Sequence, residues 1–182
     1  MHNRTDGKGS PPADQGETMD YRYLHESDRE QLEDLIGLVE SKLPDSTWWP
    51  PIKPEVSEHF FDKNWIRFIG CFDGERLIAA AGLFLEPSTF ASSAEAAGLD
   101  PASVAEIGRC MVRPSKRGSN LMIGMSKQLT DYARAVGREW IIAAVHPDNT
   151  AGCRSLEQLG MAEKGRVVQD GTYPRIIYAI EI

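Results

Sequence analysis

The chain contains no run of eighteen apolar residues, so no segment is long enough to cross a membrane as a helix. Its first twenty positions are polar, with Gly7, Gly9, Ser10, Pro11 and Pro12 where a secretory leader needs an apolar stretch. A soluble, cytoplasmic protein is expected, with no membrane partner. Cysteine is scarce: Cys71, Cys110 and Cys153 are odd in number, widely spaced, and accompanied by neither a C-x-x-C pair nor a histidine cluster. Free, reduced thiols and no metal site follow. Positive charge is also short, with 20 Lys and Arg against 27 Asp and Glu and a net charge of −7. Nucleic-acid binding draws its affinity from a basic face, so no nucleic-acid partner is expected. No internal repeat is present.

With 182 residues and 41% apolar side chains, the chain suits one domain that buries its own core. Residues 1–18, rich in Gly, Pro, Asp and Gln, are expected to form a flexible tail ahead of a domain over 19–182. Tyr21–His25 reads as a short strand, and Ser27-x-x-Glu30 as a capping box that starts a helix. Leu32, Leu35, Ile36, Val39 and Leu43 form that helix's apolar face and Pro44 stops it. Val56–Phe61 reads as a second short helix. Trp65–Phe72 and Arg76–Leu85 flank Asp73-Gly74, a hairpin signal, and Pro87–Ser103 reads as a surface loop or short helix.

A strand over 104–113 leads to a long helix whose inner face runs through Leu121, Met122, Met125, Leu129, Tyr132, Ala133 and Val136. Trp140–Val145 is a continuous apolar run, as in a strand buried on both faces. Asp148 or Asn149 caps the next helix, Gly160 ends it, and two strands near Arg166–Val168 and Tyr173–Ile180 close the chain.

The chemistry concentrates where the strand over 104–113 ends. Arg117 and Gly118 turn the chain onto the long helix, and a helix start offers unpaired amide N–H groups and the positive end of the peptide dipole to an anion. Arg109, Arg113, Lys116 and Arg117 read as a basic cluster beside that turn, suited to a phosphate-rich cofactor. With regular pairing, Glu106 shares a strand face with Gly108, Cys110 and Val112. Cys110 and Cys153 read as packed side chains or, alternatively, as acyl-carrying nucleophiles. His146, before Pro147, is a proton relay or a structural corner.

The Ala105-Glu106-Ile107 strand, the Arg117–Met122 turn, and Asn149 followed by Gly152, Leu156 and Gly160 resemble the acyl-CoA-binding core of the GCN5-related N-acetyltransferase (GNAT) superfamily. The order of elements resembles that family over roughly residues 20–182. The resemblance implies an α/β (α+β) acyl-CoA N-acyltransferase fold: a mixed, mostly antiparallel sheet splayed between strands 4 and 5 and flanked by helices. It implies acetyl-CoA or another acyl-CoA as co-substrate, bound by Cys110, Met111, Val112, Arg117, Gly118, Ser119, Asn120, Leu121, Met122, Asn149 and Gly152. It further implies transfer to a primary amine, on a small molecule or a peptide, by direct attack. Glu106 is then the base, or alternatively half of a structural ion pair with Arg109 or another basic residue, with His146 and Ser155 as further catalytic candidates and Trp48 and Trp49 walling the acceptor pocket or packing in the core. Two positions depart from the family pattern. Met122 stands where relatives carry almost no side chain, and Leu156 stands where many carry the tyrosine that protonates the leaving thiolate, leaving Ser155, Tyr173, Tyr178 or water for that task. These departures motivate the alternative of a non-catalytic acyl-CoA sensor. A homodimer is compatible with the sequence.

Overall fold

The computed structural model describes residues 19–182; the tail expected over 1–18 lies outside the described residues. Seven strands form one sheet: β1 (Asp20–Tyr23), β2 (Ile66–Asp73), β3 (Arg76–Phe84), β4 (Val104–Val112), β5 (Trp140–Val145), β6 (Ala162–Gln169) and β7 (Tyr173–Glu181). Their order is β1-β2-β3-β4-β5-β7-β6, antiparallel except for β4 beside β5. Five helices flank it: α1 (Arg29–Glu40), α2 (Pro54–Ser57), α3 (Ala91–Ala96), α4 (Leu121–Ala135) and α5 (Thr150–Gln158).

The parallel pair is zipped only at Val104, Ala105 and Glu106, opposite Trp140, Ile141 and Ile142. Beyond Glu106, β4 stays on β3 and β5 stays on β7. A wedge therefore opens between β4 and β5, with unpaired backbone along its β4 side. The cause is local. Gly82 pairs with Gly108 and Ala80 with Met111, so Arg109 and Cys110 together oppose Ala81 alone. This β-bulge, with Arg109 at φ 49°, bends the strand away from its neighbour.

The bulge corrects the expected face of β4. Glu106, Gly108 and Met111 pair with Phe84, Gly82 and Ala80 and share one face, whereas Val112 pairs with Ala79 on the other. Extended backbone alternates sides, and an extra residue reverses the alternation.

Each face buries its own core. Leu121, Met125, Leu129 and Ala133 of α4 pack on Ala79, Ala81, Leu83, Ala105 and Ile107, with Leu156 of α5 and Leu159 just past its end against them. The opposite face carries α1 through Leu32, Leu35, Ile36 and Val39, packed on Phe68 and Met111. On the same side, Phe90 and Ala94 at α3 cover Ile142 and Ile177. Val136 is 44% exposed, because α4 ends at Ala135 and the next residue leaves the buried stripe.

Most other elements fall where periodicity places them, with instructive shifts. The first helix is not started by the Ser27–Glu30 box. A 3-10 turn over Glu26–Asp28 precedes α1, and the Asp28 carboxylate accepts from the His25 N–H at 2.9 Å while binding Arg22 at 2.7 Å. The segment over 87–103 folds into α3 between short 3-10 turns, because Phe90 gives it an apolar anchor. Helix α2 starts at Pro54 and ends at Ser57, short of Phe61, with Phe60 buried edge-on against Phe68. No helix among the described residues is long and apolar enough to cross a membrane.

Candidate active site

A cavity of about 690 Å³ runs through the wedge. Met122 and Ser126 of α4 and Leu156 of α5 line it from one side of the sheet, and Glu106, Arg109 and Trp49 line it from the other. It connects the start of α4, where an anion is expected, with the face that carries α1 and α3.

The first end is built from backbone. Gly118 at φ 82° and Asn120 at φ 55° turn the chain in the left-handed region, which glycine adopts freely and asparagine tolerates. Asn120 precedes α4 without capping it through its side chain. Arg117, Gly118, Ser119 and Asn120 are all exposed, whereas Leu121 is 3% exposed and belongs to the core. Met111 is likewise buried against α1, so only its main chain can serve a ligand. Asn149 caps α5: its Oδ1 accepts from the Gly152 N–H at 2.9 Å, which does not engage Nδ2. A Cβ on Gly152 would lie 2.7 Å from Asn149 Nδ2 and 3.0 Å from Val145 Cγ2. That position must be glycine for the asparagine to sit where it does.

The expected basic cluster is dispersed. Arg113 donates to Leu77 O at 2.8 Å and Lys116 pairs with Asp73 at 3.0 Å. Arg109 turns through the bulge into the cavity, where it donates to Pro50 O at 2.6 Å beneath the Trp49 ring. Of the four, Arg117 is the one left exposed at the turn itself.

Side chains build the other end. The chain between α1 and α2 lies across the cavity as a strap, tied to three strands. Arg175 of β7 donates from both Nη atoms to Thr47 O at 3.1 Å, and Arg109 of β4 holds Pro50. His146, just past β5, is 8% exposed and stacks on Trp48 at 5.1 Å. Its Nδ1 accepts from the Asp148 N–H at 3.2 Å, which assigns the proton to Nε2. Nε2 then donates to Thr47 Oγ1 at 3.2 Å, and Thr47 in turn donates to Asp45 at 2.5 Å. His146 therefore acts here as a strap anchor.

Glu106 sits beneath this strap at the last zipped position of the wedge. Surrounding protein raises its pKa to about 7, with Arg109 and Arg175 opposing the rise. No ion pair or side-chain hydrogen bond engages its carboxylate among the described residues. It is only half-buried, reached by solvent through the cavity. Cys110 is exposed on the open β4 edge, and the protein around it and the carboxylate of nearby Glu106 raise its thiol pKa, which disfavours the thiolate needed for attack. Ser155 lines the cavity and donates to Ala151 O at 3.0 Å. Tyr178 is 4% exposed and donates to Glu157 at 3.2 Å. No group of three or more metal-ligating side chains occurs among the described residues.

Sequence reasoning missed Arg175, Thr47 and Asp45. One signal was available for Arg175: a lone charge inside the apolar stretch that forms β7.

A sheet parted between two parallel strands, with a helix start on one side of the gap and a carboxylate on the other, is the fold of the acyl-CoA N-acyltransferases. The chain belongs to the GNAT acetyltransferase family: the model of the Acetyltransferase (GNAT) domain matches residues 22–162. None of the curated proteins matches it. Among solved structures it is similar to yncA of Salmonella typhimurium with its cofactor acetyl-CoA, at 14% identity and TM-score 0.69, covering 90% of this chain and 94% of that one. It is also similar to the paia N-acetyltransferase of Thermoplasma acidophilum in complex with coenzyme A, at 15% identity and TM-score 0.61, covering 91% and 99%. The GNAT domain of S. lividans PAT matches at 18% identity and TM-score 0.66, over 90% of each chain.

Proposed function

We propose that the protein transfers an acetyl group from acetyl-CoA to a primary amine by direct attack within a ternary complex. The observation that carries this reading is the Glu106 carboxylate, held at the last zipped position of the β4–β5 wedge with no ion pair among the described residues and facing the cavity that passes through it. The residues present fit acetyl-CoA. The open β4 edge at Cys110–Val112 offers main-chain partners to the pantetheine arm, Asn149 Nδ2 stands across the wedge, and the Gly118–Asn120 turn before α4 presents amides for the diphosphate.

Acetyl-CoA supplies the acyl group as a thioester: the amine nitrogen forms the new C–N bond while the C–S bond breaks, and sulfur leaves with the bonding pair. An ammonium has no lone pair, so one proton must leave nitrogen before attack. Glu106, with its pKa at about 7, takes that proton near neutral pH. After attack, the second proton leaves nitrogen and ends on the departing sulfur, directly or relayed through the Ser155 hydroxyl or water, so CoA leaves as the thiol and Glu106 returns its proton to solvent. A thiol of pKa about 8.5 leaves acceptably as the thiolate, so Leu156 in the tyrosine position is compatible with turnover.

Calorimetry with acetyl-CoA, followed by thiol release on a panel of primary amines, tests the reading. Binding with turnover is expected; absence of binding would overturn it. Binding without turnover would favour the sensor reading, which the presence of Met122 and Leu156 on the cavity wall motivates.

A further inference from the structure

Two guanidiniums stand at the acceptor end of the cavity without a paired carboxylate. Arg175 is 4% exposed, and its protein acceptors are main-chain oxygens, Thr47 O and Pro174 O. Arg109 donates from Nη2 to Pro50 O, while its Nη1 is buried with no acceptor at all. No salt bridge to either residue occurs among the described residues. Burial lowers the pKa of both, and that of Arg109 falls to about 10; both remain charged at neutral pH. The carboxylates in electrostatic reach are Glu40 and Glu106 for Arg109, and Glu106 for Arg175. Glu40 is exposed at the end of α1, and Glu106 is proton-sharing near pH 7.

Buried cations without counter-charges are costly, and proteins pair them. Here the protein offers peptide carbonyls, which are weaker acceptors for a guanidinium than a carboxylate. We propose that the acceptor supplies the missing anion: it is a free amino acid, whose carboxylate binds Arg109 and Arg175 while its amine faces Glu106. This rests on the acetyltransferase reading above and names its substrate class.

The arrangement matches that class in three respects. In an amino acid one carbon separates the amine from the carboxyl group, and here one carboxylate lies within the electrostatic reach of both guanidiniums. Trp48 and Trp49 provide an apolar wall for a side chain beside those cations. The strap is tied to β4, β5 and β7 across this end, an arrangement that suits a small molecule rather than a polypeptide threaded past Glu106. Nη1 of Arg109, buried without an acceptor, is the donor left for the ligand carboxylate.

The test presents the full chain and acetyl-CoA with two pools, the common α-amino acids and the amines obtained by removing their carboxyl groups, with products identified by mass spectrometry. Acetylation of one or more amino acids is expected, with kcat/KM at least about 10²-fold above the matching decarboxylated amine, because a site built for a polar group rejects the analogue that lacks it. Arg175→Gln should collapse that ratio towards one, and Arg175→Lys should restore part of it. The ratio is the readout because the same arginines hold the strap, and a purely structural defect would slow both substrates alike. Arg109→Gln provides a second variant, and the wild-type ratio requires neither. Equal or better use of the decarboxylated amines would overturn the proposal, as would turnover of neither pool by protein that binds acetyl-CoA in calorimetry. Failure to bind acetyl-CoA would remove the underlying reading along with it.

Discussion

The two ends of the cavity are made of different material. At the α4 end, a helix start, a glycine-opened turn and an unzipped strand edge offer main-chain groups, and side chains such as Leu121 and Met111 face away into the core. The strap end is built from side chains gathered from distant positions: Thr47, Glu106, Arg109, His146 and Arg175. The first end tolerates side-chain change provided that the backbone keeps its path. The second depends on individual atoms, so substitutions at the two ends should fail in different ways.

The largest effect is expected at Glu106. Glu106→Gln should lower kcat by about 10²–10⁴-fold, the usual contribution of a positioned base, while leaving the acetyl-CoA dissociation constant unchanged. In the wild type kcat/KM should rise with pH through about 7 as the carboxylate loses its proton, and the variant should lose that limb. Stability should move in the opposite direction. The folded-state pKa lies above the ordinary 4.5, so ionising Glu106 costs the native state, and its contribution falls as pH rises from that value through 7. Glu106→Gln should therefore melt higher than wild type at pH 8 and about equally at pH 5, as measured by thermal denaturation. Unchanged kcat would remove Glu106 as the base and make the two ends equally indifferent to side chains.

The same contrast explains what was legible in the sequence. A strand, a glycine turn and a helix are adjacent in the chain, so local pattern exposed the α4 end, and Asn149 with Gly152 is a cap written within four residues. The strap end joins residues more than a hundred positions apart, such as Thr47 and Arg175, and no local period encodes that meeting. Arg109 was misplaced for a third reason. A bulge adds a residue without leaving a mark in the polar–apolar alternation, so regular spacing put Cys110 beside Glu106 and left Arg109 readable either as a phosphate-side cation or as a neighbour of Glu106.

The main-chain end has one position where side-chain identity does matter, and it should sharpen the contrast. Asn149→Asp keeps an oxygen to accept from Gly152 and should keep the α5 cap, but it exchanges Nδ2 for a charge facing the co-substrate arm. Acetyl-CoA affinity should fall about tenfold with little change in melting temperature. Asn149→Ala loses the cap as well, costing about 1 kcal/mol of stability. Gly152→Ala should behave like Asn149→Ala, since its Cβ would meet Asn149 Nδ2 at 2.7 Å. Calorimetry beside denaturant titration separates these outcomes.

The smallest effect is expected in the strap. Thr47→Val keeps the volume and removes the hydroxyl that accepts from His146 and donates to Asp45. Its main-chain carbonyl still receives Arg175. Because two anchors survive, the strap should loosen rather than detach, at a cost of about 1 kcal/mol for the lost bonds. Faster amide exchange should be confined to the segment between α1 and α2. Acceptor KM should rise about threefold to tenfold, with acetyl-CoA affinity untouched because Thr47 lies at the far end of the cavity. A matching loss of acetyl-CoA affinity would mean that the two ends move as one body, and that the division between a main-chain half and a side-chain half describes the geometry without describing the energetics.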